Sequence, residues 1–185
     1  ILQLGKESSL LLISGSNMSG KSTLLRMVGI NAVLAMAGAP IRGKSLRLTP
    51  LSLGTSLRTT DSLQEGRSSF YTEILRIRDV FDLSDAPRPL LFLFDELLEG
   101  TNSKDRRIGS QGILEALLGR RAIGVVTTHD LALTEITRSL GSLVRNMHFQ
   151  DFVEDGKMRF DYILRDGVVT KSNALELMRL IGLKV

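Results

Sequence analysis

The segment Gly15-Ser16-Asn17-Met18-Ser19-Gly20-Lys21-Ser22 sits between a short apolar run, Leu10-Leu11-Leu12-Ile13, and a long apolar-rich stretch from Lys21 to about Ala37 that reads as a largely buried helix. Two glycines separated by four residues and followed by Lys-Ser describe a chain that leaves a buried strand, curls tightly and enters a helix. Glycine lets the turn point its backbone N–H groups inward, where they can cradle phosphate oxygens. The first turn of the helix adds the positive end of its dipole. Lys21 can reach the outer phosphates of a nucleotide, and the Ser22 hydroxyl can ligate Mg²⁺. Gly15, Ser16, Asn17, Met18, Ser19, Gly20, Lys21, Ser22 and Thr23 are therefore the expected binding loop for ATP with Mg²⁺. A glycine-rich turn carrying a solvated lysine is the plainer alternative, and the flanking strand and helix argue against it.

The remaining pattern extends the same architecture. Leu90 to Phe94 and Ile123 to Val126 are continuous apolar runs, as expected of strands buried on both faces. Between them Ile108, Ile113, Leu114, Leu117 and Leu118 fall at helical spacing. An earlier amphipathic helix starting at Phe70 carries Ile74, Ile77, Val80 and Phe81 and ends before Pro87. Short strands are expected at 45–48 and 51–57. In the last third, 143–153 and 157–164 flank Asp155-Gly156, a hairpin signal, with Met158, Phe160, Tyr162 and Leu164 on one face of the second arm. A final helix is expected from about Ser172 to Ile181. Strands alternating with helices indicate an α/β fold with a mainly parallel sheet covered on both sides. No linker or repeat divides the 185 residues, which read as one domain, 1–185.

Two carboxylates, Asp95 and Glu96, end the Leu90 to Phe94 strand. The carboxyl ends of strands in such a sheet face the ligand crevice, so Asp95 is expected to hold Mg²⁺ and Glu96 to orient and deprotonate an attacking water. A solvated acidic turn is the plain reading of such a pair standing alone. His129 follows the Ile123 to Thr127 run and reaches the same rim, where it can donate to a γ-phosphate or to the water. A lone histidine is otherwise an ordinary surface residue.

Taken together, Asn17-Met18 in the loop, Asp61 to Phe70, Asp95-Glu96 with Gly100-Thr101, Thr127-Thr128-His129, Asn146-Met147-His148 and Lys171-Ser172 resemble the ATPase domain of MutS-like DNA mismatch-repair proteins. The likeness covers nearly all of the chain. It implies a P-loop NTPase fold similar to the ABC-type ATPases, whose composite sites form between two subunits. It further implies that Ser68 acts in trans on the partner's γ-phosphate, although Ser68 alone would pass as a helix N-cap with Glu73 nearby. It implies that Asn17 lies near the γ-phosphate, that His148 packs on the adenine, and that Gly100 to Asp105 faces the partner subunit. Ser16 and Ser19 depart from the family's usual proline and glycine, and Leu97-Leu98-Glu99 departs from its usual Ile-Gly-Arg. A divergent branch is the expected placement.

The function expected is therefore Mg-ATP binding and hydrolysis by a dimerising module of a larger DNA-handling protein, with Lys21, Glu96, His129 and the trans Ser68 as catalytic residues and Ser22 and Asp95 at the metal. DNA would be contacted through domains outside this chain. The Lys104, Arg106 and Arg107 cluster is a weak nucleic-acid signal, interrupted by Asp105. An ABC-class ATPase of a transporter or chromosome-structure protein, and a regulatory nucleotide-binding module of a membrane-associated relative, remain as alternatives. The former normally carries a Leu-Ser-Gly-Gly-Gln string, which is missing here. With no cysteine, a disulfide scaffold and thiolate metal sites are excluded. No apolar run is long enough to span a bilayer. The net charge of +4 is too small to specify an acidic partner, and a cytoplasmic location is expected.

Overall fold

Leu10 to Ile13 form the most deeply buried strand of the molecule, each fully shielded from solvent. The computed structural model describes residues 2–5, 7–57, 69–154, 156–169, 178–179 and 182–183. Its six strands are β1 (Leu10–Ser14), β2 (Ser52–Ser56), β3 (Leu90–Asp95), β4 (Ala122–Thr128), β5 (Val144–Glu154) and β6 (Lys157–Asp166), in the spatial order β2-β3-β4-β1-β5-β6. All pairs are parallel except the β5–β6 hairpin. The helices are α1 (Lys21–Met36), α2 (Ser69–Leu83), α3 (Ser103–Leu118) and the short α4 (Thr137–Leu140).

Strand alternation divides the core in two. Leu10 and Leu12 on β1 join Phe92, Phe94 and Val126 under Ile77 and Val80 of α2 and Leu114 and Leu117 of α3. Leu11 and Ile13 face the other way and join Leu91, Leu93 and Val125 beneath Leu25 and Ala32 of α1. Burying each of these large side chains is worth about 1.5–3 kcal/mol, so the central strands are apolar throughout because both faces are covered. Asn102 starts α3, its side chain accepting the Asp105 N–H at 3.0 Å.

The structure corrects several expectations. Residues 45–48 form no strand. The helix α1 is not largely buried: it covers the sheet with one face, and Met27, Ile30, Val33 and Met36 on its other side are exposed. A 3-10 turn at Leu131–Ile136, α4 and a second 3-10 turn at Gly141–Leu143 join β4 to β5. These pieces are too short to carry a periodic signal. In the hairpin, Phe160 pairs with Asp151 and Leu164 with Phe149, so residues 161–163 bulge opposite Gln150. The bulge breaks the expected common face of the second arm. Ser68, the rest of the 61–68 segment, Lys171-Ser172 and most of the expected last helix lie outside the described residues.

Candidate functional site

Parallel register brings the sequence-predicted residues to one edge of the sheet. Asp95 at the end of β3 pairs with Thr127 of β4, Thr128 pairs with Ser14 of β1, and Ser14 pairs with His148 of β5. Gly15, Glu96 and His129 each follow directly from their strand. The loop from Gly15 to Gly20 rises from the middle of this row and ends in α1.

Gly20 occupies the cap position of α1 with φ of 100°, a left-handed conformation that an L side chain resists, and no side chain caps the helix. The first N–H groups of α1 therefore face the cleft with no intrahelical acceptor. Lys21 is folded back against the loop, its ammonium donating to the carbonyls of Gly15 and Ser16, each at 2.8 Å. Its side chain is only 4% exposed and its Nζ lies 3.6 Å from Oε1 of Glu96. Burial lowers the pKa of Lys21 below that of a free lysine, and the neighbouring Glu96 and Asp95 carboxylates offset part of that shift. The hydroxyl oxygens of Ser16 and Ser19 are buried without a hydrogen-bond partner.

The strand-end carboxylates are held by β4. Thr127 donates its hydroxyl to Oδ1 of Asp95 at 2.5 Å. The N–H of Glu96 donates to the carbonyl of Thr127 at 3.1 Å and approaches its hydroxyl oxygen at 3.2 Å. The other oxygen of Asp95, Oδ2, is buried and unpartnered. Glu96 itself has φ of 55° and Leu98, two residues on, φ of 57°. Left-handed backbone costs about 1–2 kcal/mol at a residue bearing a side chain, so this turn persists only because its surroundings impose it. Its effect is to bring the Glu96 carboxylate between Lys21 and His129, whose Nδ1 lies 3.4 Å from Oε1 of Glu96.

A cleft of about 360 Å³ opens over this assembly, lined by Asn17, Met18 and Gly20 of the loop, Lys21, Ser22 and Thr23 of α1, Glu96 and Tyr162. Its chemistry suits a polyanion with a hard cation. Unpaired N–H groups and an ammonium face the cleft, and the Ser22 hydroxyl provides an oxygen ligand of the kind Mg²⁺ takes, as would the buried, orphaned Oδ2 of Asp95 on the residue before Glu96. Glu96, Glu99 and His129 also bring one ligand atom each within 4.8 Å of one another.

Of the residues named from sequence, Asn17, Met18, Gly20, Lys21, Ser22, Thr23 and Glu96 line the cleft, His129 and Asp95 adjoin it through Glu96, and His148 stands apart. It lies at the same sheet edge, but its Nδ1 is 3.0 Å from the carbonyl of Gly167 and it does not line the cleft. Tyr162, which sequence reasoning assigned only to a hairpin face, does line it. A Cβ built on Gly20 would come within 3.2 Å of the Tyr162 ring. Tyr162 sits at the crest of the β6 bulge with φ of 57°. Beneath it Asp161 accepts the N–H of Ile163 at 2.9 Å and the Arg165 guanidinium at 3.1 and 2.6 Å. That pairing holds the Asp161 carboxyl down to about 2. Arg106 of the basic cluster turns inward, donating to the carbonyls of Glu99 and Thr101 at 3.4 and 3.2 Å.

A family model described as MutS domain V matches residues 11–184. The chain belongs to the MutS family. The DNA mismatch repair protein MutS of Streptococcus pneumoniae serotype 19F (strain G54) is 33% identical over 186 residues, covering 98% of this chain and 21% of that protein. MutS of Streptococcus pneumoniae strain Hungary19A-6 and the DNA mismatch repair protein HexA of serotype 4 (strain ATCC BAA-334 / TIGR4) are each 32% identical with the same coverage. The chain thus spans about a fifth of the length of the curated MutS-family relatives it matches. No helix among its described residues is long and apolar enough to cross a membrane.

Proposed function

We propose that this chain is the ATPase module of a MutS-type DNA mismatch-repair protein, binding Mg-ATP in the cleft above Gly15 to Thr23 and hydrolysing it with Glu96 as general base. The observation that carries this reading is the Glu96 carboxylate, which lines the cleft at the start of a helix with Lys21 and His129 both against its Oε1 and the unpartnered Oδ2 of Asp95 on the preceding residue. The mismatch-repair names of the relatives favour it over a transporter or chromosome-structure ATPase.

The residues divide the work. The N–H groups of the loop and of the first turn of α1 bind the phosphates, and Lys21 exchanges its two loop carbonyls for phosphate oxygens. Ser22 and Oδ2 of Asp95 would hold Mg²⁺, which supplies positive charge to the phosphate oxygens. Glu96 accepts a proton from water positioned for in-line attack, and His129 donates to that water or to the γ-phosphate. The ring of Tyr162 offers the cleft an apolar face on which a nucleobase can stack, a role that sequence resemblance gives to His148.

The same proposal includes a homodimer with composite sites, Ser68 acting on the partner's nucleotide, DNA contacts made by other parts of a longer protein, and a cytoplasmic setting. Mixing Ser68→Ala with Lys21→Ala chains tests the trans role: recovery of activity in the mixture supports it, and none contradicts it. For hydrolysis, Glu96→Gln is expected to retain Mg-ATP binding and to release phosphate about 10²–10⁴-fold more slowly. Normal turnover by that variant in a contaminant-free phosphate-release assay removes Glu96 from the role.

A further inference from the structure

The turn that aims Glu96 is gripped from a helix that takes no direct part in the site. After Glu96 the chain passes through Leu97 and Leu98, both buried in the core, then Glu99 and Gly100. The N–H of Leu98, the second left-handed residue of the turn, donates to Oε1 of Glu73 on α2 at 2.7 Å. Three residues earlier on the same helix, Phe70 closes on the far end of the turn. A Cβ built at Gly100 would fall 2.8 Å from the Phe70 Cβ, so the two backbones are as close as they can come. Residues three apart lie on one helical face, and Phe70 and Glu73 together clamp the segment 98–100 onto the first turns of α2.

We propose that Glu73 is a positioning residue for hydrolysis: by accepting the Leu98 N–H it locks the left-handed turn that places the Glu96 carboxylate between Lys21 and His129. The inference rests on the reading of Glu96 as the general base. It adds a mechanical link, because α2 begins at Ser69, immediately after the segment containing Ser68. Whatever moves the start of α2 moves the Leu98 N–H acceptor, and the setting of Glu96 follows.

The charge of Glu73 is not what the link requires. Burial raises its carboxyl above the ordinary glutamate value, and the Leu98 N–H only partly offsets this. A neutral amide that keeps an acceptor oxygen in the same place suits the site equally well. The turn retains other anchors without Glu73, since Arg106 donates to the carbonyls of Glu99 and Thr101 and both leucine side chains are buried. Removing Glu73 therefore loosens the aim of Glu96 while the fold stays in place.

The test compares Glu73→Ala, Glu73→Asp, Glu73→Gln and Glu96→Gln in the full-length protein, by steady-state phosphate release and by fluorescent-nucleotide binding. Misplacing a catalytic group by about 1 Å can cost up to about 10²-fold. Glu73→Ala and Glu73→Asp, the latter one methylene too short, are expected to lower kcat about 10- to 10²-fold with nucleotide affinity within about twofold of wild type. Glu73→Gln is expected to restore kcat. Should Glu73→Ala fail to fold, Glu73→Asp supplies the comparison. Normal kcat in Glu73→Asp alongside a dead Glu96→Gln overturns the positioning role and leaves the general base intact. Equal loss in Glu73→Gln and Glu73→Asp also overturns it, because the charge and not the acceptor would then matter. An active Glu96→Gln instead overturns the general-base reading itself.

Discussion

Thr127 decides which oxygen of Asp95 is left over. Its hydroxyl donates to Oδ1 at 2.5 Å, and Oδ2, on the same buried carboxylate, has no partner. A buried carboxylate oxygen left unpaired is costly, and a divalent cation is the ligand whose charge best offsets that cost. Asp95→Asn is accordingly expected to raise the Mg²⁺ concentration needed for half-maximal nucleotide binding about 10- to 100-fold. Binding of nucleotide without Mg²⁺ should change little. Magnesium titrations at fixed nucleotide measure the shift, and an unchanged midpoint contradicts the metal role of Asp95.

The same threonine contributes to folding. Thr127→Val keeps the shape but removes the donor to Asp95 and the hydroxyl near the Glu96 N–H. Leaving Oδ1 of Asp95 unpaired in the core is expected to cost about 1–3 kcal/mol, and Thr127→Ser should recover most of it. Urea unfolding followed by circular dichroism measures this; a midpoint equal to wild type for Thr127→Val contradicts the assignment.

Lys21 gives a pH dependence of definite sign. Burial holds its pKa below 10.5, so between the lowered value and 10.5 the unfolded chain binds more protons at this group. Stability attributable to Lys21 therefore rises with pH through that alkaline window and is lowest below it. Phosphates beside the ammonium favour its charged form. Mg-ATP binding should then take up protons in the same window and weaken as pH rises through it. Calorimetric titrations in two buffers of different ionisation enthalpy measure the exchange; proton release, or none, contradicts the prediction.

Tyr162 provides a test of where the base lies. Stacking on an aromatic ring contributes about 1–3 kcal/mol per base, so Tyr162→Ala is expected to weaken Mg-ATP binding about tenfold or more. Tyr162→Phe should bind as wild type does, and ATP and GTP should lose similarly because every base has a π-face. Loss of affinity in His148→Ala with none in Tyr162→Ala would place the base at His148 instead.

What could be seen in the sequence was whatever depended on local order. The run Leu10 to Ile13 before the loop, the apolar Leu90 to Phe94 ending in Asp95-Glu96, and the Asp155-Gly156 signal between β5 and β6 each mark their element from neighbouring residues alone. They located two of the central strands, the hairpin and most of the cleft. The misses depended on what lies across space. The pattern of α1 is apolar nearly all round, which reads as burial on all sides, yet only its sheet-facing side is covered. Tyr162 alternates correctly for a strand, and only the pairing of β6 with β5 reveals the three-residue bulge that re-aims it. The bond from Leu98 to Glu73 spans 25 residues and has no local signature at all. The left-handed turns at Glu96 and Leu98 are likewise imposed by packing, on residue types that do not favour them.

Titration calorimetry of Mg-ATP into the wild-type chain and into Lys21→Ala tests the central claim most directly. Saturable binding near one nucleotide per chain, abolished or weakened by at least about 100-fold when the buried ammonium is removed, is the result predicted, since charge-assisted bonds to phosphate contribute about 1.5–3 kcal/mol each. No heat from the wild-type chain at millimolar nucleotide, or equal affinity in both chains, would contradict it.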